Sequence, residues 1–132
     1  MKAMRTKRGM LLKTTLLAGA FSATALAAQA DEVTIGILVP LTGELGEFGK
    51  IVAGGVELGV AEVNAAGGTK CGNIRTVVAD TGGNPETAIR EATKMIESDG
   101  AVAVVGPTSG EMVALVDLAK RTKTILMSPY AG

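Results

Sequence analysis

Four short apolar runs separated by three helix-like stretches leave this chain few ways to fold. The runs are Val33 to Val39, closed by Pro40, then Ile74 to Ala79, Ala101 to Val105 and Thr124 to Met127. Their apolarity is continuous rather than alternating. That predicts strands covered on both faces, the environment of a parallel sheet. Between the first two runs, Ile51, Val52, Val56, Val60 and Val63 recur at three- and four-residue spacings and predict a helix from Lys50 to Ala66. Gly54, Gly55 and Gly59 each cost such a helix up to about 1 kcal/mol relative to Ala. Close packing against the sheet is the expected reason they stand there. Asn64 to Gly68 ends the helix, since glycine supplies a left-handed cap without steric penalty.

The second helix is bounded by its own chemistry. Asn84 reads as N-cap and Pro85 as the first helical residue, with Ala88, Ile89, Ala92, Met95 and Ile96 forming one apolar stripe before Gly100 closes the element after about Asp99. Thr108 and Glu111 have the spacing of a capping box and open a third helix that runs to about Arg121. Met95, Met112 and Met127 read as core. The order β-α-β-α-β-α-β implies parallel pairing through right-handed crossovers, hence an α/β fold of three layers with helices flanking the sheet.

Parallel sheets of this kind take ligands at the carboxyl ends of their strands. The segments Pro40 to Gly49, Asp80 to Asn84, Gly106 to Gly110 and Ser128 to Gly132 occupy that edge. The first is rich in glycine but is not a nucleotide loop. Five residues separate Gly43 from Gly49-Lys50, Ile51 stands where a magnesium-binding hydroxyl belongs, and the spacing of Gly43, Gly46 and Gly49 misses the dinucleotide pattern. The third is more informative. Amides at a helix N-terminus attract anions, and a hydroxyl beside them adds a donor, so Ser109 suits a carboxylate while Thr108 suits the cap. Asp80 has two readings, a cation ligand or a residue that fastens loops through local hydrogen bonds. With no histidine and Cys71 as the one cysteine, the chain offers no transition-metal set, no nucleophile–base pair and no cofactor motif.

The first 30 residues differ in kind. Lys2, Arg5, Lys7, Arg8 and Lys13 precede an uncharged Leu- and Ala-rich stretch from Thr14 to Ala28, and Ala28-Gln29-Ala30 supplies a small-x-small cleavage site. These are the three parts of a secretory signal, and the stretch is short of the roughly 20 residues that span a bilayer. Leu17-Ala18-Gly19-Ala20 lacks the cysteine that a lipoprotein anchor requires. Residues 31–132 then hold all 13 acidic residues against 8 of the 13 basic ones, a net charge of −5. An acidic domain with 2% aromatic residues and no basic patch is not built for nucleic acid.

Read in order, the segments resemble the type 1 periplasmic binding proteins of ABC importers, in particular the leucine/isoleucine/valine-binding group. The matching pieces are Ile35-Gly36 through Pro40-Leu41-Thr42-Gly43, Phe48-Gly49, Glu62 to Gly68, Asp80 to Pro85, Val105 to Gly110 and Ser128-Pro129. The resemblance implies a Rossmann-like first lobe, present here in part over residues 31–132, of a two-lobed periplasmic receptor without enzymatic activity. Such a receptor closes on an amino acid, of the branched-chain type in this group, and delivers it to permease subunits in the inner membrane. It also implies the site residues: Ser109 and Gly110 at the third strand-end loop, Tyr130, Ala131 and Gly132 at the fourth, and Phe48 over the ligand. Family members often carry a Thr shortly after the Ser-Pro pair, where this chain has Tyr130-Ala131-Gly132. The acidic residue that usually receives the ligand's ammonium belongs to a part of the fold outside this chain. A sensory domain of the same fold and a Rossmann-like enzyme are the alternatives, separable by neighbouring permease and ATPase genes and by nucleotide-dependent stabilisation.

Overall fold

The computed structural model describes residues 32–131; the predicted signal segment and Gly132 lie outside it. The elements are β1 (Glu32–Val39), α1 (Gly46–Ala65), β2 (Asn73–Asp80), α2 (Pro85–Glu97), β3 (Ala101–Val105), α3 (Ser109–Thr122) and β4 (Ile125–Met127). All pairings are parallel, in the order β2-β1-β3-β4. The predicted alternation is present: α1 joins β1 to its neighbour β2, α2 crosses over β1 to join β2 to β3, and α3 joins β3 to its neighbour β4.

β1 is the central support. Ile37, Leu38 and Val39 are each 0% exposed, so consecutive residues pointing to opposite faces are both covered. On one face Leu38 packs with Ala88, Ala92 and Met95 of α2, Val104 of β3, and Leu115 and Leu118 of α3. On the other, Ile37 and Val39 meet Ala53, Val52 and Val56 of α1. The three layers are therefore α1, sheet, and α2 with α3. Packing is one-sided at the far edge. Leu126 joins the α2/α3 cluster, whereas Ile125 and Met127 on the α1 side stay exposed because α1 lies over β1 and β2. Met127 is thus not core as expected, while Met95 is.

Local chemistry places the helix ends. The Asn84 side chain accepts the Thr87 N–H at 3.0 Å, as its N-cap position predicts. Asn64 works differently: its amide group donates to the Ile74 carbonyl at 2.8 Å and accepts the Ile74 N–H at 2.8 Å. It pairs with β2 as another strand would, and so ties the end of α1 to the start of β2. Lys123 ends α3 in the left-handed region at φ 59°.

α1 departs from expectation in two ways. It begins at Gly46, not Lys50, so Phe48 and Gly49 stand in its first turn rather than in a loop. Gly54, Gly55 and Gly59 also have open space where a Cβ would lie, with nothing within 4 Å. The close approach falls at Gly49 instead, where an added Cβ would run into the Pro40 carbonyl oxygen. Glycine lets the first turn of α1 rest directly on the end of β1. Gly54→Ala is accordingly expected to raise stability by up to about 1 kcal/mol through helix propensity. Gly49→Ala is expected to lower it by at least about 1–3 kcal/mol through overpacking against backbone. Urea midpoints moving in opposite directions would bear this out.

Candidate ligand site at the strand carboxyl ends

β1 leads through α1 to β2 on one side, and β3 leads through α3 to β4 on the other, with β1 and β3 adjacent. The segments leaving β1 and β3 therefore diverge over the carboxyl edge of the sheet. Divergence at such a switch point opens the crevice in which open parallel sheets bind ligands. Gly106 stands at its floor with φ 108°, and an added Cβ there would collide with Val39 of β1.

One side of the crevice is fastened by Asp80. Its Oδ1 accepts the N–H groups of Leu41 at 2.7 Å, Thr42 at 3.3 Å and Gly82 at 2.8 Å, and its Oδ2 accepts the Thr42 hydroxyl at 2.6 Å. The Thr42 hydroxyl, helped by the three amides and opposed by desolvation, holds the carboxyl below the ordinary aspartate range. Of its two readings, Asp80 takes that of a loop fastener.

The other side is the start of α3. Ser109 and Gly110 are exposed in its first turn, and among the described residues no protein acceptor meets their N–H groups and no partner meets the Ser109 hydroxyl. These donors point out of the positive end of a 14-residue helix. Thr108 is used up structurally: its N–H donates to Glu111 Oε2 at 2.7 Å, completing one arm of the predicted cap. Glu111 itself is 0% exposed, and its Oε1 has no partner among the described residues.

The turn after β4 reaches the loop that follows β3 and the first turn of α1. The Tyr130 hydroxyl donates to the Gly106 carbonyl, and its ring meets Phe48 edge-on at 4.8 Å between centroids and 81° between planes. Burial, with the Glu111 carboxylate second, raises the Tyr130 phenol above its ordinary value, so it remains a donor at neutral pH. The structure thus brings Phe48, Gly106 and Tyr130 together. Ala131 is different, since its N–H is already taken by the Ser128 hydroxyl at 3.0 Å and offers no free donor. Gly132 lies outside the described residues. Two features went unread in the sequence: the Tyr130 tie, which has no local signal, and the burial of Glu111, of which the Thr-x-x-Glu spacing announced only the cap.

The family model for periplasmic binding proteins matches residues 32–132. The chain belongs to that family. Among similar periplasmic binding proteins, Leu/Ile/Val-binding protein homolog 3 of Brucella melitensis is 37% identical over 116 residues, 85% of this chain and 31% of that protein. The Leu/Ile/Val-binding protein BraC3 of Rhizobium johnstonii is 36% identical over 105 residues, 79% of this chain and 28% of its own length. In structure, the branched-chain amino acid transporter substrate binding protein LivJ from Streptococcus pneumoniae, solved in complex with isoleucine, aligns with a TM-score of 0.72 at 34% identity. That alignment covers 76% of this chain and 29% of LivJ. This chain therefore spans under a third of the length of the curated relatives named here.

Within this periplasmic binding protein, the Asp80 knot gives a pH dependence with a definite sign. A carboxyl whose folded pKa is depressed contributes stability that is complete above its unfolded value of about 3.9 and is lost as pH falls through the folded value. Asp80→Asn is expected to lower stability at pH 7 and to flatten the decline below about pH 4. Urea unfolding at stepped pH reads both; parallel acid limbs for the two proteins would remove the assignment.

Proposed function

We propose that this chain supplies the first-lobe half of the grip in an exported amino-acid receptor that serves an ABC importer. The carrying observation is the free N-terminus of α3 at the switch point, where the N–H groups of Ser109 and Gly110 and the Ser109 hydroxyl stand without protein partners among the described residues. A carboxylate suits that position, because helix amides aim at it and the helix field favours negative charge. Similarity to proteins named for leucine, isoleucine and valine supports an amino acid with an aliphatic side chain. Phe48 and the ring of Tyr130 supply apolar surface beside the anion donors.

In this reading the leader is cut after Ala30, the domain is delivered to the periplasm, and the partner is a permease in the inner membrane. The protein performs no reaction of its own. Its work is to neutralise the ligand carboxylate and present the closed complex. Hydrogen bonds to a charged group contribute about 1.5–3 kcal/mol each. Two or three of them are comparable to the freedom a ligand loses on binding, so this span alone is expected to bind weakly. The rest of the grip belongs to the length of chain that the relatives have beyond this span.

Titration of the secreted chain with L-leucine, followed by NMR, tests the reading. The amide signals of Ser109 and Gly110 are expected to shift with leucine and to stay in place with leucinamide, which lacks the negative carboxylate. Ser109→Ala is expected to weaken binding about tenfold, the scale of one hydrogen bond to a charged group. Equal responses to both ligands would remove the carboxylate from the site, and micromolar affinity would show that this lobe needs no second half.

A further inference from the structure

The three residues that lead from β3 into α3 have every backbone donor spoken for. Gly106 and Pro107 are buried, and Gly106 holds φ 108°, a conformation that glycine reaches without strain. A glycine peptide has no side chain to fix it, so partners must. The Gly106 N–H donates to the Met127 carbonyl at 2.9 Å, and the Gly106 carbonyl accepts the Tyr130 hydroxyl. Both ties come from β4 and the turn after it. Pro107 has no N–H to place, and the Thr108 N–H is taken by Glu111. Ser109, whose donors face the ligand in the reading above, comes next.

Tyr130 is itself anchored on either side of that bond. The Ser128 hydroxyl accepts the N–H groups of Tyr130 at 3.4 Å and Ala131 at 3.0 Å, and the Tyr130 ring rests edge-on against Phe48. The strand order β1-β3-β4 means that its side chain crosses the end of β3 to reach α1, which follows β1. One residue therefore spans the switch point and is fastened at mid-span to the peptide that leads into α3. Without the hydroxyl a buried carbonyl loses the donor it has here, and a glycine peptide is free to rotate toward another. Rotation there re-aims the first turn of α3, and hydrogen bonds weaken steeply with angle.

We propose that Tyr130 is a positioning residue of the carboxylate site: its hydroxyl, bonded to the Gly106 carbonyl, sets the aim of the Ser109 and Gly110 donors without touching the ligand. This rests on the receptor reading above and deepens it. Coupling between two sites is reciprocal, so an anion seated on α3 must act back on the Tyr130 tie as strongly as the tie acts on the anion. The chain has one tyrosine and no tryptophan, so its intrinsic emission reports on that tie alone.

The test titrates the secreted chain with acetate and with L-leucine, following the Ser109 and Gly110 amide signals by NMR and Tyr130 by its fluorescence. Acetate is the informative probe, because it has a carboxylate and no side chain with which to reach Tyr130. Tyr130→Phe keeps the ring against Phe48 and removes only the hydroxyl. It is expected to move the Ser109 and Gly110 signals in the ligand-free protein and to weaken acetate and leucine by the same factor, about threefold to tenfold, a partial to full loss of one hydrogen bond to a charged group. A loss confined to leucine would make Tyr130 a ligand contact and overturn the positioning role. So would a variant that unfolds at lower urea but keeps both affinities and both amide signals, the result of a purely structural tie. Should Tyr130→Phe fail to fold, the unmodified protein decides: acetate is expected to change the tyrosine emission as it shifts the two amides, and amide shifts with constant emission would overturn the proposal while leaving the carboxylate cradle in place. Failure of both ligands to shift Ser109 and Gly110 would remove the receptor reading and this inference with it.

Discussion

The fold depends on covering one strand twice. Ile37, Leu38 and Val39 of β1 have no exposed surface, and since neighbouring side chains on a strand face opposite ways, helices must lie on both sides. Right-handed crossovers then dictate how. The connection from β1 toward β2 lays α1 on one face, while those crossing to β3 and on to β4 lay α2 and α3 on the other. Reversing direction between β1 and β3 is the only way a continuous chain of such units covers both faces of β1. The same reversal parts the loops at the carboxyl edge. Burial of the core strand and creation of a ligand crevice are one event in this topology.

The crevice is held in shape by two ties of different chemistry. Asp80 gathers the N–H groups of Leu41, Thr42 and Gly82 with the Thr42 hydroxyl, joining the first two strand-end loops by charge-assisted hydrogen bonds. Tyr130 joins the other two to α1 with its hydroxyl on Gly106 and its ring against Phe48. Neither tie uses the exposed donors of Ser109 and Gly110. The result is a short stretch of helix N-terminus kept clear by the frame around it. Glu111 lies fully buried behind that stretch, its Oε1 without a partner among the described residues.

Most of the architecture could be read from local pattern. The strand runs, the Asn84 cap, the Thr108–Glu111 box and the left-handed glycines near Gly67 and Gly100 have mechanisms confined to a few residues, and each appears as expected. α1 shows the limit. Gly46 and Gly49 look like loop residues because glycine weakens helices, and only the contacts of that turn with the Leu41 and Pro40 carbonyls explain their presence. Gly54, Gly55 and Gly59 invite the same explanation and do not merit it, for nothing approaches them, and the structure supplies no other reason for them. Met127 likewise carries a core-like residue in a core-like strand, but α1 does not extend over β4.

At the site the division is similar. Ser109 at the head of a helix was legible because hydrogen-bonding chemistry at helix ends is local. Phe48, Gly106 and Tyr130 are far apart in the chain, and their meeting depends on which loops the switch point brings side by side. The sequence by itself determined the alternation of elements, the direction of the strands and the donors exposed where α3 begins, because period, handedness and capping act over a few bonds. Only the tertiary structure decided which glycine makes the close contact, which face of β4 stays bare and that Glu111 lies fully buried. Those outcomes are set by distances between segments that no short stretch of chain encodes.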